Sequence, residues 1–520
     1  MQFLFSRRDL IAIFSTLVAG AFSITTWASP GDFDASFGGG VVTPSRSPIS
    51  DTKIALSRDN SIVYQVFPCI NANSQSTFCV LVVDRDGTFI SSNFGPAVSL
   101  GMGAVSDVAV DPNSGALIAM ASCKPFSASP RGICITRFLS NGEHDPSFGT
   151  GGTGYIVRTP DRDSPPGRLA IASDSTIYAT FTVADGTVAS PTSSVRINAF
   201  TAAGQTNTTF SNGSVALPRV LASVGTTSNN DVAGDIIVLP NGTVLVFYTC
   251  PEAGGISRVC VANFNRNGTL TAAVSRLATL TAEEANRVFL VAPESGANTY
   301  RLLAASIAPV TNGTSPFLRK FTIVNGAFGA YLSGWGTSPQ IYPGLSAPFN
   351  AGFNSSAWRE PSFHWGIDKR LYIASCDGGD GISCETTVRR LDTSGAEYDR
   401  TWGADGAVNL TGQSATTRRT SMQTQGDGKL VIGGQSTILA GNVRLVRLEN
   451  DTIAAARCTM DIDGDGVVLP TTDGLLMARV SAGLSGNAVT TGALGGNAIR
   501  SSWPAIRNYL AITCSMKVAP

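Results

Sequence analysis

Residues 461 to 473 read DIDGDGVVLPTTD, an alternation of carboxylates that suits a hard cation. Asp461, Asp463 and Asp465 fall on positions 1, 3 and 5 of a calcium loop, with Gly466 at position 6 for the sharp turn. Val467 would offer its carbonyl at position 7. Ca²⁺ takes roughly six to eight oxygens, so carboxylates converging on one point are what it requires. Position 12 is Thr472, and the next carboxylate, Asp473, comes one residue late. Either a one-residue bulge helped by Pro470 brings Asp473 in, or the site is weaker and completed by water. The competing reading is an exposed acidic turn. Three alternating aspartates, the glycine and a helix directly after them favour one Ca²⁺ ion, structural rather than signalling.

Other chemistry is sparse. Eight of the ten cysteines form four local pairs, Cys69/Cys79, Cys123/Cys134, Cys250/Cys260 and Cys376/Cys384. In each pair the first ends one strand and the second starts the next, so a disulfide across the hairpin mouth is expected in an oxidising compartment. A metal site would need closer spacing or nearby histidines. The two histidines, His144 and His364, lie in different repeats and read as a turn residue and a half-buried strand residue. They leave little material for a His-rich zinc site or a Ser-His-Asp triad. Asp377 and Asp380 read as a flexible hairpin tip. No nucleophile-elbow, P-loop or zincin signature is present. Catalytic and cofactor-binding residues are therefore not assignable from motifs.

These residues are held by a repeat. Short apolar strands centre on Ile62, Leu117, Ile177, Val244, Tyr300, Leu371 and Leu430, spaced by 55, 60, 67, 56, 71 and 59 residues. Each is followed by a turn and a second strand. These partner strands end at Gly87, Gly142, Gly204, Gly268, Gly326 and Gly395, and the seventh ends at Asn450. Apolar residues alternate in VLVFY and VCVAN, as in strands with one face in a core. An aromatic-glycine element, DPSFGTGG or YDRTWGADG, follows several of the glycines, giving about four strands per unit, the content of a propeller blade. The chain has one such element early, DFDASFGGG, and none after its last unit. A ring can use that N-terminal strand to complete the last blade and remove an unpaired edge. The expected fold is therefore all-β, a seven-bladed β-propeller with six or eight blades left open, followed by a small α-helical loop-helix module.

The pattern D-x-S-F-G-x-G, followed by a D/N-G hairpin and a strand ending in R-x-x-x-x-G, resembles the delta-sixty repeat of exported bacterial proteins. The resemblance covers about residues 32 to 450 and is clearest in DASFGGG, DPSFGTGG and GDGKLVIGG. It implies a β-propeller and no shared catalytic residues. The last module, about residues 458 to 514, resembles dockerin-type, EF-hand-like loop-helix units. Its second half, SGNAVTTGALGGNAIRS, has no carboxylate and so no second site, which puts a cohesin partner in doubt. SSWPAIRNYLAI is expected to supply a second helix, and Cys458–Cys514 would staple the ends.

Residues 1–28 have a basic start, an apolar stretch and small residues near Ala28, the features of an export signal. The propeller would then occupy 29–452 and the calcium module 453–520. Without residues 1–28 the net charge is −1, and no basic stripe appears, so nucleic acid and anionic membranes are poor partners. No second segment suits a membrane span. The expectation is a protein secreted, periplasmic or on the cell surface that binds an extracellular protein or glycan without catalysis. The alternative is a carbohydrate-active hydrolase or lyase using Asp or Glu in the propeller channel. A cofactor-dependent oxidoreductase ranks third.

Overall fold

A computed structural model describes residues 29–450 and 460–518, apart from breaks of which the longer ones are 43–51, 159–165, 185–192, 218–231, 277–283, 332–361 and 378–384. For residues 284–331 it describes the backbone strands alone. The segment 1–28 lies outside the described residues.

The chain is a propeller-like all-β fold built from antiparallel meanders. Five sheets have four strands each, and a sixth has eight. The innermost strands are Lys53–Leu56, Val105–Val110, Pro166–Ile171, Val232–Val238, Glu284–Pro293, Ser362–Trp365 and Ser421–Thr424. Each touches the next, and Ser421–Thr424 touches Lys53–Leu56, so these strands form a circuit. The seam is made by the N-terminal segment. Val41–Val42 pairs with Val443–Leu448, in register Val41 with Val446 and Val42 with Leu445. An edge that would otherwise offer free N–H and C=O groups is thereby covered.

The core lies between successive sheets. Tyr64, Val66 and Val82 of the first sheet pack on Leu117 and Ala119 of the second. Ile54, Val63 and Phe67 meet Val431 and Leu445 across the seam. Among the described side chains the long strands are covered on both faces, so they read as apolar runs such as Ile62–Ile70. Each large side chain buried this way stabilises the fold by about 1.5–3 kcal/mol.

The repeated aromatic-glycine element has a physical cause. Asp145 accepts the Ser147 N–H at 2.9 Å and its hydroxyl at 2.6 Å. Arg137 Nε donates to Asp145 Oδ2 at 2.7 Å, and its guanidinium lies 5.1 Å from the Phe148 ring centroid. Arg447, Asp34, Ser36 and Phe37 repeat this set, as do Arg390, Asp399, Thr401 and Trp402. Next, the aromatic side chain supports the following sheet. Gly149 N–H donates to Ala203 O at 2.9 Å, and a Cβ on Gly204, whose φ is +79°, would lie 2.8 Å from the Phe148 ring. The glycine that closes the repeat is thus demanded by both its backbone conformation and the ring above it.

After the sheets comes a helical module. Helices span Leu475–Ser481, Asn487–Thr490 and Trp503–Asn508. Leu476, Val480, Val489, Ile506 and Leu510 form its core. Arg507 reaches Asp59 of the first sheet's turn at 3.9 Å. No helix among the described residues is long and apolar enough to cross a membrane.

Candidate metal centre and axial charges

In the acidic loop, carboxylate oxygens of Asp461, Asp463 and Asp473 lie within 4.8 Å of one another. Asp463 and Asp473 are completely buried. The late arrival of Asp473 is absorbed by a π-helical turn over Pro470–Gly474, in which Gly474 N–H donates to Leu469 O at 3.1 Å. A π turn holds one residue more than an α turn, so it takes up the extra residue before the helix at Leu475 begins. Asp473 then points back at the loop, accepting from Ile462 N at 2.5 Å and Leu469 N at 2.9 Å. Burial raises its pKa, but donors on Leu469, Thr472, Asp463 and Ile462 hold it below the ordinary carboxylate value.

Asp465 and Val467 are not in that convergent group. Asp465 Oδ1 accepts the Val467 N–H at 2.8 Å, and Val467 is exposed. Among the described residues no basic side chain forms an ion pair with Asp463 or Asp473. Arg500, the nearby cation, instead donates to the carbonyls of Ile462 at 2.7 Å and Asp461 at 2.6 Å. Two buried like charges beside a third carboxylate repel one another unless a cation joins them. The donors are all oxygens, which fits a hard ion such as Ca²⁺ rather than zinc or copper.

A second set of charges sits around the circuit of innermost strands. Lys53, Asp107, Arg168 and Asp235 each stand three residues before the end of their strand, on four consecutive sheets, and all are half-exposed. At the last three the register breaks, between Val105 and Asp107, Pro166 and Leu169, and Ala233 and Ile236. Such bulges re-aim side chains that a regular ladder would point into the core. Asp107 Oδ2 accepts Leu169 N of the next sheet at 3.0 Å, and Arg168 donates to the Ser106 carbonyl. On the closing sheet Ser421 takes the same place, its hydroxyl accepting Ile54 N at 3.0 Å.

Sequence reading missed these four residues. The available signal was a charge near the start of each otherwise apolar inner strand. Register shows which end of the sheets they occupy. Asp107 pairs with Met120, three residues before Cys123, and Lys53 with Val66, three before Cys69. They therefore share the end where Cys69–Cys79 and Cys123–Cys134 are bridged, with Cα separations of 5.8 and 5.7 Å. The Arg-Asp-aromatic sets lie at the opposite end.

Cys260 and Cys514 are also disulfide-bonded. The side chains of Cys250 and Cys376 and the residues Cys384 and Cys458 lie outside the described residues, as does Asp380. The histidines are structural. His144 Nε2 bonds Gly154 O at 3.1 Å, and His364 Nε2 accepts the Thr424 N–H at 3.0 Å.

No family model and no curated protein matches the chain. Solved structures do. A sialidase of Trypanosoma rangeli, in complex with the inhibitor DANA, aligns at 11% identity and a TM-score of 0.39, over 81% of this chain and 57% of its own. The chain thus spans little more than half of that enzyme's length. An endo-arabinase of Bacteroides thetaiotaomicron aligns at 12% and 0.32, over 58% of this chain and 100% of its own. The β-propeller domain of the trilobed protease of Pyrococcus furiosus, described as having an open velcro topology, aligns at 8% and 0.38, over 80% and 99%. Likeness at this identity concerns the fold. The expectation of a non-enzymatic binding or scaffold protein is not kept, since a sialidase and an endo-arabinase stand among the similar structures, but a likeness of this grade assigns no role to this chain.

Proposed function

We propose that this chain is an exported, seven-bladed β-propeller that acts on glycans as a hydrolase or lyase and carries one calcium ion in its C-terminal module. The observation that carries the catalytic reading is the placement of Asp107 and Asp235 at equivalent bulges two strands apart, with Arg168 between them. Paired carboxylates supply a general acid and a general base, and a guanidinium beside them stabilises negative charge developing on oxygen. The circuit of seven innermost strands supports the blade count, and the N-terminal strand on Val443–Leu448 supports closure of the ring. Bridged cysteines support passage through an oxidising compartment. By similar hairpin spacing Cys250–Cys260 and Cys376–Cys384 form further bridges, and Cys458–Cys514, which flank the last module, form the fifth. The resemblance to delta-sixty repeats and to dockerin-type units belongs to this reading, with Ca²⁺ held by Asp461, Asp463 and Asp473. Asp465 and the Val467 carbonyl complete the set.

The test is turnover of a polysaccharide panel by the full chain. Activity on at least one glycan is expected. Asp107→Asn and Asp235→Asn should each lower it by a factor on the order of 100 or more while the chain stays folded by circular dichroism. Silence across the panel, or undiminished turnover by both variants, overturns the catalytic reading.

A further inference from the structure

We infer that Gly495 is a positioning residue of the metal centre, and that Gly495 and Arg500 together form a strap over the calcium loop. The inference rests on the calcium reading of that loop. The strap has no carboxylate, and what it supplies is backbone and one guanidinium. Gly495 N–H donates to Asp463 Oδ2 at 2.6 Å, while Asp465 N–H holds the other oxygen, Oδ1, at 3.2 Å. Asp463 is thereby clamped from both sides of the module, across 32 residues of chain. Arg500 continues the strap. Its N–H donates to Asp463 O at 2.8 Å, and its guanidinium bonds the carbonyls of Asp461 and Ile462. The carbonyls of Asp461, Ile462 and Asp463 are thus pinned, while among the described residues no ion pair ties Arg500 to the Asp463 carboxylate.

Glycine at 495 is not there for its backbone freedom, since it is absent from the glycines with positive φ. Its requirement is spatial. A Cβ at 495 would lie 1.8 Å from Asp465 Oδ2 and 3.2 Å from Asp463 Oδ2. Asp465 is not free to swing away without cost, because its Oδ1 accepts the Val467 N–H at 2.8 Å. Adding the methyl group therefore pushes Asp465 off the position from which it faces the loop, and it strains the clamp on Asp463. The adjacent Gly496 has nothing within 4 Å of the same hypothetical atom, so it provides an internal control.

The experiment is calorimetric titration of Ca²⁺ into the chelator-treated full chain. The wild type should show one site, and Gly496→Ala should bind within twofold of it. Gly495→Ala should lose tenfold or more in affinity with an unchanged metal-free circular dichroism spectrum. In an Asp465→Ala background the Gly495→Ala substitution should cost threefold or less, since the oxygen it strikes is gone. Equal binding by wild type and Gly495→Ala, or a full tenfold cost in the Asp465→Ala background, overturns the strap and leaves the calcium reading standing. Absence of binding to the wild type overturns both.

Discussion

Arg447 Nε and Asp34 Oδ2 are 2.6 Å apart although 413 residues separate them in the chain. Lys429 Nζ reaches the same carboxylate oxygen at 2.7 Å, Arg447 donates to Ser36 Oγ at 2.9 Å, and its guanidinium lies 4.8 Å from the Phe37 ring centroid. The seam of the sheets is therefore locked by the same Arg-Asp-aromatic set that elsewhere lies within one repeat. Asp34→Ala would leave Arg447 buried without its carboxylate, at a cost of about 3–5 kcal/mol. Chemical denaturation should read that loss, and a loss below about 1 kcal/mol would mean the seam is held by the Val41–Val42 strand alone.

Acid should release the same lock. Burial works to raise the Asp34 pKa, but Lys429, Ser36 and Arg447 hold it well below the ordinary carboxylate value. A carboxylate depressed in the folded state contributes stability above its unfolded pKa of about 4, and the contribution fades as pH falls through the folded value. His364 adds a window at higher pH. Burial pushes its pKa down to about 4, and Thr424 N–H needs the bare Nε2 as acceptor. Its unfolded value is about 6.5, so this contribution is complete above pH 6.5 and is lost as pH falls toward 4. Melting temperature measured across pH 7 to 4 should fall in wild type and fall less steeply in His364→Gln. Parallel profiles would show that His364 does not titrate on unfolding.

The bridges at Cys69–Cys79 and Cys123–Cys134 close short loops, with separations of 10 and 11 residues. Closing a loop of that length stabilises by about 2–3 kcal/mol on the chain-entropy account. The effect should be local to the end of the sheets that carries Lys53, Asp107, Arg168 and Asp235. Under a reductant that leaves the fold intact, proteolysis should cut first inside 69–79 or 123–134. Cleavage beginning at the opposite turns would refute this division of the sheets into a braced end and a repeated end.

Much of the architecture is legible in the sequence because each repeat is local. The hairpin turn at Gly242 needs a positive φ, observed at +83°, whereas the run Val244 to Tyr248, expected to bury one face, is buried on both. The Arg-Asp-aromatic set can also be read from sequence, and so can its decay. Where Asn207 replaces the aspartate, Ala199 stands in the arginine's place, and Asn207 still accepts the Thr209 hydroxyl at 2.6 Å. Charge and countercharge have gone together, as they must where either alone would be a buried unpaired ion. Asp107 and Asp235 were not legible as a pair, because their equivalence depends on bulges and on register between strands far apart in sequence. Gly495 was invisible for a related reason. Its partner Asp463 is 32 residues away, and nothing in a carboxylate-free segment marks it as part of a metal centre.

Calcium should act on the module and leave the sheets alone. The ion would join Asp461, Asp463 and Asp473, the two buried members of which have no ion-pair partner among the described residues. An ion bound only by the folded state stabilises it by about 2.7 kcal/mol when present at roughly 100 times its dissociation constant. Leu476, Val480, Ile506 and Leu510 form a core separate from those between the sheets, so the module should melt as its own transition. Calorimetry of the full chain should show that transition moving up with added Ca²⁺ and the larger sheet transition staying fixed. Asp463→Ala should abolish the movement, since it removes the carboxylate that both Gly495 and Asp465 hold in place. Movement of both transitions together would instead place the ion's effect on the whole ring, carried through the Arg507–Asp59 contact.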